Sequence, residues 1–290
     1  MTKAILGIIG GSGIYDLPGL EDKREEPIAI PWGEPSDALM RGRIGETDIV
    51  FLSRHGRGHR IPPDAINYRA NIDALKRAGV TDLISLSACG SFKPELSPGH
   101  FVLVDQFVDR TWGRASSFFG PGCVAHVSMA HPVSPHLMDR LAHAAEVEGI
   151  GFTRGGIYVC MQGPQFSSYA ESILYKAQGF DVIGMTAMPE AKLAREAEMS
   201  YATLAMVTDY DCWHPEHDAV DVASVIQVMQ DNIGKARRIV ARVAQEFPRE
   251  REACRVGADK ALDFAIMTAP SARDPALLAK LDAVAGRVLG

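Results

Sequence analysis

The chain of 290 residues is long enough for one large α/β domain, or for a domain with an appendage. Its formal net charge of −6 provides no basic footprint, so we expect neither nucleic acid nor a membrane surface as a partner. Five cysteines without a Cys-x-x-Cys pair, and an N-terminus unlike a signal peptide, favour a cytoplasmic location over a disulfide framework.

The apolar residues 4–9 predict a buried strand that runs into the glycine-rich loop Gly10-Gly-Ser-Gly13. In such a loop backbone amides can converge on an anion, and the Ser12 hydroxyl adds one more donor. The loop completes neither common phosphate motif, because it lacks Gly-Lys-Ser/Thr and has Asp16 at the third Rossmann glycine position. A phosphate loop and a simple tight turn therefore both fit these residues.

A second loop, Arg54-His-Gly-Arg-Gly-His59, follows two predicted strands at residues 38–44 and 48–53. Its basic side chains, separated by flexible glycines, suit a loop that closes over a small anion. His55 and His59 have the spacing of a helical metal site, but the glycines and the prolines that follow argue against a helix, and so against a metal. An ordinary solvated basic loop is the alternative.

The elements that follow alternate between strands and helices, which predicts an α/β fold: a single domain with a central mixed sheet flanked by helices. Ser167 or Ser168 can cap one helix, with Glu171 in its first turn. Segment 112–131 has no periodicity, as is typical of a functional loop. Strands are predicted at residues 82–86, 101–104, 155–160, 181–184 and 200–207, and helices at 67–79, 135–149, 170–178, 190–197 and 221–247.

The strand at 200–207 delivers two carboxylates, Asp209 and Asp211, just past its end. In open α/β sheets ligands bind beyond the carboxyl ends of the strands, so both side chains lie where chemistry is expected. The alternative is that they cap the helix that begins near Asp221, or are solvated in a loop. Spacing alone leaves both interpretations open.

The residues after the long helix, 248–290, form a less regular tail in which two shorter helices are predicted, near 259–266 and 274–288. We expect this tail to be a helical extension that packs on the main domain, residues 1–247, or on a neighbouring subunit.

Side chains at the other strand ends indicate what kind of ligand is bound. Hydroxyls at Ser12, Ser87 and Thr186, together with Arg54 and backbone amides, suit a free phosphate. The aromatic face of Phe166 and a carboxylate suit a heterocyclic base with an exocyclic amine. Between the two there is room for a sugar.

Several motifs in one order carry a family resemblance. They are Gly10-Gly-Ser-Gly13, Ser53-Arg-His-Gly-Arg57, Asn67-Tyr-Arg-Ala-Asn71, Ser87-Ala-Cys-Gly-Ser91, Asp105-Gln-Phe-Val-Asp-Arg-Thr111, Gly163-Pro-Gln-Phe-Ser167, Met185-Thr186 with Pro189-Glu190, and Thr208-Asp-Tyr-Asp-Cys-Trp213. Over about residues 4–247 the chain resembles the 5'-methylthioadenosine phosphorylases, of the trimeric purine nucleoside phosphorylase superfamily. The resemblance implies a nucleoside phosphorylase-like fold and a homotrimer or a dimer of trimers. The tail matches only loosely.

The resemblance also implies a role for each matching residue. Asp209 and Asp211 would be the catalytic pair that reads the adenine edge. Phosphate contacts are implied for Ser12, Arg54, His55, Ser87, Ala88 and Thr186. Substrate contacts are implied for Met185 at the ribose, Phe166 and Ser167 at the base, Val222 and Ile226 at the methylthio group, and His126 at the 5' end of a substrate bound in the adjacent subunit.

The implied reaction is phosphate-dependent cleavage of the N-glycosidic bond of 5'-methylthioadenosine, giving adenine and 5-methylthioribose 1-phosphate in methionine and purine salvage. Inorganic phosphate is a co-substrate, and neither a cofactor nor a metal is implied. A protonated Asp209 would donate to N7 of the departing purine, which requires a pKa raised by burial or by the neighbouring Asp211. Asp211 would accept from the 6-amine, directly or through water.

The chain departs from the family pattern at a few positions. Ser12 and Ser87 replace threonines, which preserves the hydroxyls, while Gln162 and Gln165 stand where Glu and Arg are frequent, which affects phosphate and sugar affinity. Relatives that prefer 6-oxopurines generally have Asn at the position of Asp209, so the aspartate favours adenine. The alternatives are a broader purine nucleoside phosphorylase, a methylthioinosine phosphorylase, and a non-catalytic nucleoside- or NAD-binding module.

Overall fold

One mixed eleven-stranded sheet runs through this computed structural model, which describes residues 2–11, 13, 17–215 and 222–290. Its strands are β1 (Leu6–Gly10), β2 (Glu21–Glu26), β3 (Leu39–Ile44), β4 (Thr47–Ser53), β5 (Asp82–Ser91), β6 (Phe101–Val104), β7 (Gln106–Arg110), β8 (Phe152–Arg154), β9 (Ile157–Met161), β10 (Val182–Gly184) and β11 (Ser200–Asp209). The helices are α1 (Tyr68–Arg77), α2 (Pro135–Val147), α3 (Tyr169–Ala177), α4 (Ala187–Glu196), α5 (Val222–Gln245), α6 (Pro275–Lys280) and α7 (Asp282–Leu289).

Strand β5 is the branch point of the sheet. Along most of its length it lies between β1 and β11 and runs parallel to both, with Ile84 opposite Ile8 on one side and Ala202 on the other. At its end it pairs antiparallel with β10, where Gly90 faces Ile183. The strand order is β2-β3-β4-β1-β5-β10-β9-β7, and β11 leads on from β5 to β6, which pairs with β8. The end of β5 therefore lies where the sheet divides.

Apolar side chains on the two faces of the sheet form two core clusters. The alternation of side chains along a strand sends Ile9 of β1 and Leu52 of β4 into one cluster, and Ile8 and Phe51 into the other. Helices α1, α4 and α7 cover the first cluster, and α2 and α5 cover the second. The predicted class, an α/β fold with a central mixed sheet between helices, is confirmed.

Local signals in the sequence account for the helix boundaries. Helix α1 begins after Asn67, whose side-chain oxygen accepts a hydrogen bond from the Ala70 amide at 3.1 Å. Helix α3 begins with a capping box: the Ser168 hydroxyl accepts from the Glu171 amide at 3.3 Å, and the Glu171 carboxylate accepts from the Ser168 amide at 2.8 Å. The prediction of a cap at Ser168 is confirmed.

The tail joins the core of the domain. Leu281 and Val284 are buried in the cluster that α1 covers, and Arg77 of α1 donates to Asp282 Oδ2 at 3.0 Å. The predicted helix near 259–266 is wrong, since only a 3₁₀ turn at Ala258–Lys260 forms there, and the second predicted helix is divided into α6 and α7. The division of the chain at residue 247 stays a prediction. Among the described residues, none of the helices combines the length and hydropathy needed to cross a bilayer.

Candidate active site

The carboxylate of Asp209 is held at the point where the sheet divides. The register between β11 and β5 shifts after Val207, so that Asp209 lies opposite Gly90. An irregularity of this kind re-aims a side chain and often lies beside an active site. The absence of a side chain at Gly90 makes room for the carboxylate, because a Cβ there would lie 2.7 Å from Asp209 Oδ1.

Both carboxylate oxygens of Asp209 accept hydrogen bonds from the protein. The Thr208 hydroxyl donates to Oδ2 at 2.7 Å, and the Asp211 amide donates to Oδ1 at 2.8 Å. Burial raises the pKa of Asp209, although these two hydrogen bonds act in the opposite direction. The expected raised pKa is therefore confirmed, with burial as its cause.

Asp211 is a buried carboxylate in an uncommon backbone conformation, with a φ of +52°. Aspartate tolerates this left-handed region better than most residues, because its short polar side chain can bond locally. Its Oδ2 atom has no hydrogen-bond partner in the described part of the chain. Burial raises the pKa of Asp211 and the charge of Asp209 raises it further, although the nearby Ser172 and Ser167 hydroxyls act in the opposite direction. A solvated loop is thus excluded for Asp211, while a cap at Asp221 falls outside the described residues.

Arg54 and Glu190 form a completely buried ion pair beneath the strand ends. Arg54 Nε and Nη2 donate to the two Glu190 oxygens at 2.7 and 3.0 Å, and the side chains are 2% and 0% exposed. Arg54 also donates to the Ser85 hydroxyl at 2.7 Å and to the Leu86 carbonyl at 2.9 Å. Burial lowers the pKa of Arg54, but the Glu190 carboxylate outweighs it and the net shift is upward. These contacts leave one Nη1 N–H of Arg54 without a partner among the described residues.

His55 is a partly buried, uncharged imidazole. Its Nδ1–H donates to the Ile61 carbonyl at 2.9 Å, and its ring stacks on His59 with 4.2 Å between centroids. Burial, with smaller contributions from Arg54 and His59, lowers the pKa of His55 to about 4 despite the Ile61 hydrogen bond. At neutral pH its Nε2 atom is therefore an acceptor. Within the described ranges, no group of three or more His, Cys, Asp or Glu residues could hold a metal ion.

The predicted phosphate-binding hydroxyls lie at the end of β5 and at the start of α4. The buried Ser87 hydroxyl lies 2.9 Å from that of Tyr158, and Ala88 follows it in the strand. Thr186 is buried at the N-cap position of α4, and its hydroxyl makes no capping hydrogen bond. The backbone at Met188 is extended, with φ −120° and ψ 135°, so the regular part of α4 begins at Pro189 and Thr186 contributes its hydroxyl rather than a helix terminus. Ser12 lies outside the described residues.

Arg114 brings together backbone segments on either side of the site. Its Nη1 atom lies 2.7 Å from the Met185 carbonyl oxygen, 2.8 Å from that of Met188 and 3.0 Å from the Tyr68 hydroxyl. Its Nη2 atom donates to the Gln162 carbonyl at 2.5 Å. Arg114 therefore positions Met185, the residue assigned to the ribose, against the segment that leads to Phe166.

The other predicted substrate residues do not all lie at the strand ends. Ser167 lies close to the carboxylates, because its carbonyl accepts from the Cys212 thiol at 3.5 Å, and Phe166 beside it is 45% exposed. Ile226 is exposed on α5. His126 is also exposed, and its amide donates to the Ala265 carbonyl at 2.9 Å. The structure does not describe the side chain of Val222.

Comparison with known proteins identifies the family. The model of the phosphorylase superfamily matches residues 5–245. An S-methyl-5'-thioadenosine phosphorylase from Bradyrhizobium diazoefficiens is 71% identical, covering 100% of this chain and 99% of the relative. The chain belongs to the S-methyl-5'-thioadenosine phosphorylase family. A second member, from Cereibacter sphaeroides, is 58% identical and covers 99% of both chains.

Solved structures of this phosphorylase family share the fold. A methylthioadenosine phosphorylase from an antarctic soil metagenomic library aligns with a TM-score of 0.91 at 43% identity, over 98% of this chain and 99% of the other. A mutant adenosine/methylthioadenosine phosphorylase from Schistosoma mansoni, in complex with methylthioadenosine, aligns with a TM-score of 0.81 at 36% identity, over 94% and 99%.

Two residues that organise the site of this phosphorylase, Glu190 and Arg114, have no role that can be predicted from the sequence. Glu190 lies in the Pro189-Glu190 motif, and its signal is a carboxylate in a segment that is otherwise mostly small and apolar. Arg114 lies in the loop at 112–131 that was expected to be functional, but nothing in the sequence singles it out there. Both act on other residues through backbone or charge contacts that only the fold creates.

Proposed function

We propose that the protein uses phosphate to cleave the N-glycosidic bond of 5'-methylthioadenosine, giving adenine and 5-methylthioribose 1-phosphate. The observation that carries the proposal is the pair Asp209 and Asp211, two neighbouring carboxyl groups with raised pKa values at the division of the sheet. Relatives that match along the whole chain bear the name of this activity.

Phosphate is the co-substrate in this proposal, and no cofactor takes part. Its contacts are assigned to Ser12, Arg54, His55, Ser87, Ala88 and Thr186. Arg54 supplies a permanent positive charge and one remaining N–H, while Thr186 supplies a buried hydroxyl that makes no capping hydrogen bond. The neutral His55 accepts a hydrogen bond from a protonated phosphate oxygen through Nε2.

Bond cleavage leaves positive charge on the ribosyl group and electron density on the purine. Bound phosphate stabilises the cation and then attacks its anomeric carbon, while Asp209 donates a proton to N7, a general-acid step worth about 10²–10⁴-fold in rate. Thr208 accommodates both forms of this acid, because its hydroxyl lies 2.7 Å from Asp209 Oδ2 and 3.2 Å from the Cys89 carbonyl oxygen. It donates to the carboxylate when Asp209 is ionised and to Cys89 when Asp209 is protonated.

Asp211 is assigned to the 6-amine of adenine, because its Oδ2 atom is a buried acceptor without a partner in the described chain. A 6-oxopurine would present an acceptor to this oxygen, which is unfavourable for an ionised carboxylate. Ribose and base contacts are assigned to Met185, Phe166 and Ser167, and the apolar pocket of the methylthio group to Val222 and Ile226.

The assembly proposed is a homotrimer or a dimer of trimers in the cytoplasm, serving methionine and purine salvage. Exposed apolar side chains support an interface between subunits: Trp112 is 73% exposed, Tyr169 65% and Leu174 53%. The exposed His126 is assigned to the substrate of the neighbouring subunit.

The test offers methylthioadenosine, methylthioinosine, adenosine and inosine to the enzyme, each with and without phosphate, and measures release of the base. We expect phosphate-dependent release of adenine from methylthioadenosine, with slow turnover of the two 6-oxopurine nucleosides. The variant Asp209→Ala should lose most turnover but still bind phosphate. Release without phosphate would indicate a hydrolase, faster release of hypoxanthine would favour the inosine-type phosphorylases, and near-normal turnover of Asp209→Ala would contradict its role.

A further inference from the structure

A second cluster of reactive side chains lies away from the proposed active site. It joins Asp82 at the start of β5, Ser134 and His136 at the start of α2, and Cys254 in the tail. Asp82 is at the opposite end of β5 from Ser87 and Gly90, roughly 16 Å or more along an extended strand. The proposed phosphorolysis uses none of these four side chains.

The cluster forms a continuous chain of hydrogen bonds that ends at sulfur. His136 Nε2 lies 2.9 Å from Asp82 Oδ1, His136 Nδ1 lies 3.0 Å from Ser134 Oγ, and Ser134 Oγ lies 3.5 Å from Cys254 Sγ. When both ring nitrogens carry protons, His136 donates to Asp82 and to Ser134, and the Ser134 hydroxyl is free to donate to the sulfur. Because the hydrogen bonds point from His136 through Ser134 to the sulfur, they stabilise an imidazolium at His136 and a thiolate at Cys254 at the same time.

The surrounding charges favour the same pair of ions. Burial lowers the pKa of His136, but Asp82 and Cys254 outweigh it and raise the pKa to about 9. Burial raises the pKa of Cys254, but the nearby His136 and Ser134 side chains and the backbone amides around the sulfur favour the thiolate and bring the pKa down to about 7. The Arg195 guanidinium also faces Cys254, while the Asp259 carboxylate accepts from the Cys254 amide at 3.1 Å.

Cys254 differs in this respect from every other cysteine of the chain. Burial raises the pKa of the remaining thiols, which are Cys89, Cys123, Cys160 and Cys212. Cys212 is the most exposed of the five cysteines, whereas Cys254 is the one with a lowered thiol pKa. A reagent that reacts with thiolates therefore distinguishes Cys254 from Cys212.

A cavity lies beside this cluster. It has a volume of about 520 Å³, and its lining includes His136 together with Ala253 and Arg255, the two chain neighbours of Cys254. Cys254 itself is 7% exposed, which limits the approach to small reagents.

We propose that Cys254 is a modification site, at which the His136–Ser134 hydrogen-bond chain holds a thiolate for reaction with a small hydroperoxide. The sulfur attacks one peroxide oxygen, so that an S–O bond forms as the O–O bond breaks. Sulfur is oxidised by two electrons to sulfenic acid, and the peroxide is reduced. The leaving group is hydroxide from hydrogen peroxide or an alkoxide from an organic hydroperoxide. It takes a proton from the His136 imidazolium through Ser134 and departs as water or as the alcohol.

The first experiment treats the full-length protein with limiting hydrogen peroxide in the presence of dimedone, which traps sulfenic acid, and locates the adduct by peptide mass spectrometry. We expect the adduct at Cys254 ahead of Cys212, and its loss in Cys254→Ser. An adduct that forms first at Cys212, or none at Cys254, would overturn the proposal.

The second experiment measures the rate of Cys254 alkylation by iodoacetamide over a pH series. We expect a midpoint near pH 7 that rises by at least about one pH unit in His136→Gln, toward the value of an ordinary thiol. The matched control is His143→Gln, since His143 lines the same cavity but pairs with Glu246 at 3.3 Å, and it should leave the midpoint unchanged. Should His136→Gln fail to fold, Ser134→Ala interrupts the same chain. A midpoint that neither variant moves would refute the arrangement.

Discussion

Replacing Glu190 with glutamine removes the counter-ion of a fully buried arginine, and we expect it to destabilise the protein strongly. The Glu190 carboxylate accepts from Arg54 Nε and Nη2 at 2.7 and 3.0 Å, from the Ser85 hydroxyl at 2.6 Å and from the Tyr201 hydroxyl at 2.9 Å. In glutamine an NH₂ group replaces one of the two carboxylate oxygens, so a hydrogen-bond acceptor becomes a donor and the positive charge of Arg54 is left uncompensated. Breaking a buried pair in this way costs about 3–5 kcal/mol.

The assay is thermal unfolding followed by circular dichroism, with phosphate absent. A loss of about 3–5 kcal/mol lowers the midpoint of a chain this large by at least about 5 °C. The matched control is Glu46→Gln, because Glu46 pairs with Arg249 on the surface, where the two side chains are 69% and 75% exposed. An exposed pair contributes about 0–1 kcal/mol, so the control should shift the midpoint little. Equal shifts for the two variants would refute this account of the buried pair.

A double variant separates the structural role of Arg54 from its proposed role at phosphate. Replacing a buried ion pair with apolar residues of similar volume is often neutral or stabilising, so Arg54→Met with Glu190→Leu should recover part of the lost stability. It should not recover phosphate-dependent turnover, because the charge assigned to phosphate is gone. Recovery of both would assign Arg54 to the fold alone.

Three further predictions concern the environment of the proposed acid. Gly90→Ala would displace the Asp209 carboxylate, and we expect turnover to fall about a hundredfold, with Gly234→Ala, which meets no atom within 4 Å, as the neutral control. Thr208→Val removes a hydrogen bond that lowers the pKa of Asp209, so this pKa should rise. Turnover requires the protonated acid, so in a pH–rate profile the pH at which turnover falls should increase by about one unit. Arg114→Gln should raise the nucleoside KM more than it lowers kcat, since Arg114 positions the Met185 backbone; an unchanged KM would contradict this role.

Sequence patterns are sufficient to predict an element of the fold wherever residues close together in the chain determine its structure. The cap at Ser168, the glycine-terminated helix α1 and the strand that carries Asp209 each follow from neighbours in the chain. Strand β2 cannot be predicted in this way, because Glu21–Glu26 contains no apolar residue and its strand conformation depends on pairing with β3. Strand β5 was expected to end at residue 86, yet it continues to Ser91, because pairing with β11 and β10 extends it through small residues.

In the candidate site, too, features set by residues close together in the chain can be predicted, whereas contacts between distant segments cannot. The paired carboxylates and the strand-end hydroxyls could be found by counting along the chain. The ion pair of Arg54 and Glu190 could not, because its partners are separated by 136 residues and meet only when α4 packs beneath β5. The protonation state of His55 also needs the fold, since burial lowers the pKa of its imidazole even though the hydrogen bond to the Ile61 carbonyl favours the charged form.

The way the tail is built into the core has a consequence for synthesis on the ribosome. Arg77 of α1 bonds to Asp282 of α7, 205 residues later, and Leu281, Val284 and Ala285 complete the apolar cluster that α1 covers. Until α7 leaves the exit tunnel, that side of the nascent chain exposes apolar surface to solvent and to other chains. The domain therefore depends on α7 to close its core, and a chain released before α7 is made would be a substrate for chaperones and proteases.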